Sequence, residues 1–428
     1  PCAMLDANGL CLVVYGYPEI KKEMHGFLRN LNVAHTSVET KREYLKEYPG
    51  FSAAFRIPLV VPSPGGTEWI DVSRTVSATK PADGLVEILG NITRGIDRII
   101  TAHQIDTICI FIPNAWSPFE RVEVGADLDL HDQIKAYCAL RGVRTQLIRE
   151  DTVKKQQRAE ILWWLALALY AKSLRTPWLL AKRDDDAAYV GIGYAMNRSD
   201  PNRPIVLGCS HVFQASGMGL RFQLTHVKDP VFMRRKPYLN RDDALRVGVQ
   251  TRQLFFESLG KLPNRALVCK RTPFTKDELE GLRSGLQGVG SIDLLTIEFE
   301  PAWRYLAQDS RTHKSAKFPV PRGTVIGLDD ETFLLWVHGR VDRINEKGFS
   351  YYQGKTRIPA PLRVRRYGGS STIEQIAADL LGLSKMDWNT FDLYETMPAH
   401  LATSGKIARV GRFLERLGST TLDYRLFM

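Results

Sequence analysis

Four polar residues between positions 131 and 172 could act together on one ligand: His131 and Lys135 in HDQIK, Gln146 in RTQLIRE, and Lys172 in LALALYAKS. His131 and Lys135 are four residues apart, the spacing that brings two side chains to one face of a helix. Gln146 falls in a short strand-like run over Val143 to Ile148, and Lys172 follows Ile161 to Ala171, a helical run without a charged residue. A lysine there either snorkels to solvent or serves an anion. Two ammonium groups, an imidazole and a carboxamide suit a terminal phosphate. The lysines supply charge, the imidazole a donor, and the amide oxygen a ligand for a hard cation. Any single lysine or histidine here is more often a solvated helix residue, so the inference rests on the combination.

The elements that must position these side chains alternate in type. Strand-like runs at Leu10 to Tyr15 and Phe55 to Val61, a helix over Asp83 to His103 and a strand over Thr107 to Ile112 precede them. Helices at 131 and over about 152–172 bracket the strand at 143. Such alternation predicts an open, largely parallel sheet covered on both faces. Ligands of these sheets sit outside the strand carboxyl ends, where His131 and Gln146 are expected. A new rhythm begins near Thr176, with strands at Ala188 to Met196, Ile205 to Phe213 and Arg221 to Val227. No helix signal separates them, so antiparallel hairpins are expected. A helix over Arg241 to Leu259, a strand over Ala266 to Lys270, a helix over Thr275 to Leu286 and a strand over Leu294 to Phe299 follow.

In type and order the four pocket residues resemble the guide 5′-phosphate pocket in the MID domain of Argonaute proteins. The elements after 176 resemble the RNase H-like PIWI domain. The likeness is greatest to short prokaryotic Argonautes, whose first pocket residue is often histidine. It implies an α/β chain with a Rossmann-like MID domain and N-terminal segment over 1–175 and a PIWI domain over 176–428. His131, Lys135, Gln146 and Lys172 would hold the 5′-phosphate of a guide RNA, and a single-stranded target DNA would be read by base pairing. In relatives the terminal carboxylate returns to this pocket, so Gln146 and Met428 are the expected ligands of Mg2+ or Mn2+. The chain has no room for the N-terminal and PAZ domains of long members. The resemblance therefore implies an APAZ-domain partner carrying a TIR, sirtuin-like or nuclease effector, in defence against plasmids or phages.

RNase H-like nucleases gather three or four carboxylates or histidines around two divalent ions. Active PIWI domains place the first aspartate in a pattern like Ile-Gly-Ile-Asp, where this chain reads Val190, Gly191, Ile192, Gly193. A second follows in a pattern like His-Arg-Asp-Gly, where this chain reads Lys270, Arg271, Thr272, Pro273. Gly193 and Thr272 thus mark degenerate nuclease positions, and a third, near Ser404 to Lys406, offers only a hydroxyl or a cation. No catalytic residue is expected. The run Asp184, Asp185, Asp186 reads as a solvated loop and His400 as a helix-terminus residue.

A net charge of +11 favours a polyanionic partner. Backbone contacts to nucleic acid are expected from Arg234, Arg235 and Lys236, from Lys355 and Arg357, and from Arg363, Arg365 and Arg366. Arg363 and Arg365 alternate along an extended segment and so share one face. The six cysteines show no CxxC pair, which points to reduced, buried thiols in a cytoplasmic protein. No apolar run reaches the roughly 18 to 20 residues of a membrane span, and the first residues lack a secretory pattern. On sequence alone, a guide-directed nuclease with an atypical metal site and a guide-independent DNA-binding protein remain alternatives.

Overall fold

The computed structural model describes residues 10–36, 47–103, 105–122, 128–155, 159–180, 186–196, 205–212, 220–227, 229–306, 308, 310–314, 320–341, 359–390, 395–414 and 421–428. In the first part of the chain β1 (Leu10–Gly16), α1 (Lys21–Arg29), α2 (Phe51–Phe55), β2 (Leu59–Val60), β3 (Trp69–Asp71), α3 (Pro81–Ala102) and β4 (Thr107–Ile112) lead to the short β5 (Arg121–Val122) and β6 (Leu128–Asp129). Then come α4 (Leu130–Leu140), β7 (Thr145–Arg149), α5 (Glu150–Lys154) and α6 (Ala159–Lys172). The sheet runs β2-β1-β4-β7 with β3 also on β1, and every pairing in it is parallel.

Strand β4 reads TICIFI and is buried at every position, as a strand covered on both faces must be. Its residues alternate between two cores. Ile108, Ile110 and Ile112 meet α3 through Leu85, Ile88, Ile92, Ile96 and Ile99, whose spacing forms one helix stripe. Cys109 and Phe111 face the opposite way, onto Leu162, Leu165, Ala166 and Leu169 of α6. Of the expected strand over Phe55 to Val61, Phe55 closes α2 and only Leu59–Val60 pairs. Pro58 explains this, since it lacks the N–H a ladder needs, and Arg56 at φ 62° turns the chain before it. The single helix expected over about 152–172 is two, α5 and α6.

The second part holds β8 (Ala187–Met196), β9 (Ile205–Val212), β10 (Leu220–His226), the hairpin β11 (Val231–Met233) and β12 (Lys236–Tyr238), α7 (Arg241–Leu259), β13 (Arg265–Lys270) and α8 (Lys276–Gly285). After them come β14 (Ser291–Phe299), β15 (Val325–Gly327), β16 (Thr332–Leu335), β17 (Leu362–Arg366), α9 (Ile373–Leu383), α10 (Ala399–Gly411) and β18 (Thr421–Asp423). Nine strands form one mixed sheet in the order β15-β16-β17-β14-β13-β8-β9-β10-β18. The β8–β9 and β9–β10 pairs are antiparallel, as the missing helix signals implied, while β13 runs parallel to β8 and β14. Helix α8 begins with a full capping box between Thr275 and Glu278. After β18, residues Tyr424 to Met428 are buried and bring the chain back against the first part. Among the described residues no helix is long and apolar enough to cross a membrane.

Candidate functional site

His131, Lys135, Gln146, Lys172 and Met428 all line one cavity of about 730 Å³. Three elements and the last residues of the chain bring them there. Helix α4 starts at Asp129, whose side chain accepts from the Asp132 amide at 3.0 Å. This cap fixes the first turn, so His131 and Lys135 project from one side of the helix. Gln146 is the second residue of β7 and Lys172 the last of α6, where the helix C-terminus favours a cation. Gln146 lies near the amino end of β7, not outside its carboxyl end. The cavity is instead walled by consecutive β7 residues, Gln146 to Arg149. Strand β7 ends its sheet, and an edge strand can be approached from the side.

Lys135 and Lys172 are 1% and 2% exposed. Lys135 Nζ donates to the Thr145 carbonyl at 2.5 Å and to the main-chain oxygen of Met428. Lys172 Nζ donates to Gln146 Oε1, and Gln146 Nε2 donates to the Leu147 carbonyl at 2.9 Å. Among the described residues no acidic side chain pairs with either lysine. Burial therefore pushes Lys135 down to about 8 and Lys172 well below its ordinary value, the second further depressed by the charge of the first. An arriving dianion would reverse both shifts. Two buried ammonium groups without an acidic side chain beside them are costly unless something anionic joins them.

A pH dependence follows. Above about 8 the folded Lys135 releases its proton, while in the unfolded chain it holds that proton up to about 10.5. The unfolded state then binds more protons, so stability of the ligand-free protein rises with pH across that window. Lys135→Met lacks this contribution, so its stability advantage over the parent is expected to shrink between pH 8 and 10 in thermal unfolding. A gap that stays constant would mean that Lys135 is not buried with a depressed pKa.

A second cavity of about 590 Å³ adjoins the first, sharing His131, and is lined by Arg121, Arg409, Arg412, Asp132 and Tyr194 among others. Asp129, His131 and Asp132 are the one trio of possible metal ligands that comes within reach of a common ion among the described residues. Asp132 is already engaged. Arg409 Nε donates to it at 2.6 Å and His131 Nδ1 lies 3.1 Å away. Burial opposes its charge, but these hydrogen bonds outweigh that and hold its carboxyl below the ordinary range. This pairing of α4 with α10 joins the two parts of the chain beside both cavities, a contact between residues 277 apart that the sequence pattern does not announce.

Of the positions expected to mark a degenerate nuclease centre, Gly193 lies under α10. A Cβ on Gly193 would stand 2.4 Å from the Gly405 amide nitrogen and 2.5 Å from the Ser404 carbonyl carbon. The Ser404 hydroxyl bonds back to the Leu401 carbonyl at 2.9 Å, and Lys406 Nζ is 3.8 Å from Asp387. The nearby carboxylate of Glu278 is saturated: Lys270 and the Thr275 amide bond one oxygen, the Leu239 amide and Tyr194 hydroxyl the other. Thr272 supplies only a hydroxyl. His400 is fully buried, and burial pushes its imidazole down to about 3.

The basic residues differ in availability. Arg363 and Arg365 are the exposed alternate positions of β17, with Leu362 and Val364 buried. Arg365 is 3.8 Å from Glu331 and lies 5.1 Å from the Tyr367 ring. Arg366 is spent on structure, donating to the Ser371 and Asp330 carbonyls. Arg234, Arg235 and Lys236 form the exposed tip of the β11–β12 hairpin. Lys355 and Arg357 lie outside the described residues, as do Asp184 and Asp185, whereas Asp186 pairs with Lys261.

No family model matches the sequence, and none of the curated proteins is similar to it. Solved structures share its fold. Clostridium butyricum Argonaute, bound to a guide DNA with a 5′ deoxycytidine and a 19-mer target DNA, aligns with a TM-score of 0.64 at 12% identity, covering 98% of this chain and 50% of that one. Aa-Ago, with externally bound siRNA, aligns with a TM-score of 0.60 at 17% identity, covering 98% of this chain and 51% of that one. The chain thus has an Argonaute fold, which the expected MID and PIWI halves fit, and spans about half the length of these structures.

Proposed function

We propose that this chain is a short Argonaute without nuclease activity, which holds the 5′-phosphate of a guide strand, RNA by family resemblance, and recognises complementary single-stranded DNA by base pairing. The observation that carries the reading is the pair of buried lysines, joined by His131 and Gln146 in one cavity and lacking an acidic side chain as partner among the described residues. A phosphate dianion is the ligand such a pair suits. Gln146 Oε1 and the Met428 main-chain oxygen face the same cavity and are hard donors of the kind Mg2+ or Mn2+ takes. They would hold the ion, which supplies further charge against the phosphate, while the lysines turn from these oxygens to the ligand.

The absence of cleavage is supported by Gly193 and Thr272 at the metal positions, and by the α10 backbone where a Gly193 side chain would stand. Binding without cutting would pass its signal to a partner. Resemblance to short prokaryotic Argonautes makes that partner an APAZ-domain effector of TIR, sirtuin-like or nuclease type, in defence against plasmids or phages. Cys109, Cys138, Cys209 and Cys269 are buried and free, in keeping with a reducing cytoplasm. The test is the nucleic acid that co-purifies with the protein. Short strands of uniform length bearing 5′-phosphates are expected, and a strand population with 5′-hydroxyl ends would overturn the assignment.

A further inference from the structure

Among the described residues the β11–β12 hairpin pairs only with itself, and six consecutive residues, Val231 to Lys236, are exposed. Met233 is paired with Lys236 across a two-residue turn. Both turn residues, Arg234 at φ 48° and Arg235 at φ 64°, occupy the left-handed region. A tight hairpin of this kind favours Asn-Gly, so arginine at both positions sacrifices local stability. Such strain concentrates where a side chain is needed for function. Neither arginine nor Lys236 has an ion-pair partner among the described residues. Behind this basic tip Val231, Phe232 and Met233 are 40%, 46% and 41% exposed. Phe232 lies opposite Pro237 and so shares its face of the ribbon.

The hairpin is rooted next to the degenerate nuclease centre. Tyr238, at the end of β12, is buried with its ring 4.9 Å from Lys270 Nζ, two residues before Thr272. Phe274 continues the cluster, 4.6 Å from Lys270 and 5.4 Å from the Tyr367 ring on which Arg365 lies. The tip and the exposed face of β17 therefore flank one aromatic cluster.

Resting on the reading above, we infer that the β11–β12 hairpin is a nucleic-acid finger: Arg234, Arg235 and Lys236 hold backbone phosphates, and Phe232 packs against a base of the guide–target duplex. A basic tip backed by an aromatic and a proline is the equipment of side chains that wedge against bases while the backbone is gripped. An apolar protein partner would not call for three unpaired cations.

The experiment measures affinity for a short RNA–DNA heteroduplex against salt, with the RNA 5′ end phosphorylated or hydroxylated. Phe232→Ala should weaken binding about 5- to 150-fold with the salt slope unchanged. Arg234→Asn combined with Arg235→Gly should raise the unfolding temperature by removing strain, yet lower the salt slope by about 0.7 to 0.9 for each phosphate that is no longer neutralised. Both effects should be equal for the two RNA ends, whereas pocket variants act on the phosphorylated end alone. Weaker binding by the hairpin variants with an end-indifferent parent would refute the phosphate pocket and leave the finger standing. Variants that bind as the parent does at every salt concentration would overturn the finger, as would unchanged nucleic-acid affinity alongside failure to bind a co-expressed protein.

Discussion

Lys172→Met is expected to make the ligand-free protein more stable while removing its preference for a phosphorylated guide. The lysine is 2% exposed and its ammonium group donates to Gln146 Oε1. Replacing a buried charge with an apolar group of similar length often stabilises by about 1 to 4 kcal/mol. The orphaned Gln146 oxygen costs about 1 to 3 kcal/mol of this, leaving a net gain on the order of 1 kcal/mol. A charge-assisted hydrogen bond contributes about 1.5 to 3 kcal/mol, so affinity for a phosphorylated guide should fall roughly 10- to 150-fold. Affinity for the hydroxylated guide should stay near the parent value. Calorimetry and guide titration together check this. Lower stability with an undiminished phosphate preference would make Lys172 a structural residue.

Gly193→Asp is expected to unfold or severely weaken the protein and not to create a nuclease. The side chain would enter the α10 backbone at Ser404 and Gly405, where even a Cβ would be 2.4 Å from a nitrogen. Overpacking costs about 1 to 3 kcal/mol, and an unpaired carboxylate buried there adds several more. Gly193→Ala, with the same clash and no charge, separates the two contributions. With the Thr272 position unchanged and Glu278 saturated, one new carboxylate cannot assemble two metal ions. A Gly193→Asp protein of parental stability that cuts a matched target with magnesium would contradict this account.

How far the sequence could be read depended on whether its signal was local. Helix α7 over Arg241–Leu259 and strand β4 over Thr107–Ile112 fall on the expected residues. Both carry their signal internally, Asn240 as a cap with Gly260 as a stop in one, an unbroken apolar run in the other. The co-location of Lys135 with Lys172 was legible because Lys172 ends an uncharged apolar run, Lys135 shares a helix face with His131, and the local motifs around them resemble one known pocket. Other features were not legible. Strand β3 has three residues and pairs only through tertiary proximity. The Asp132–Arg409 link and the burial of Gly193 under α10 join segments far apart in the chain, and no periodicity encodes which helix covers a given glycine. Arg366 looked equivalent to Arg363 and Arg365, yet its place at the end of β17 puts carbonyls within its reach.

The central claim is that the cavity between α4, β7 and α6 receives a terminal phosphate. It is tested most directly by titrating the parent protein with one RNA oligonucleotide in two forms, 5′-phosphorylated and 5′-hydroxylated, near pH 7 and at fixed salt. The account predicts at least about tenfold tighter binding of the phosphorylated form, the equivalent of one charge-assisted hydrogen bond, and disappearance of that difference in Lys135→Met and Lys172→Met. Equal affinity of the parent for the two forms would contradict it.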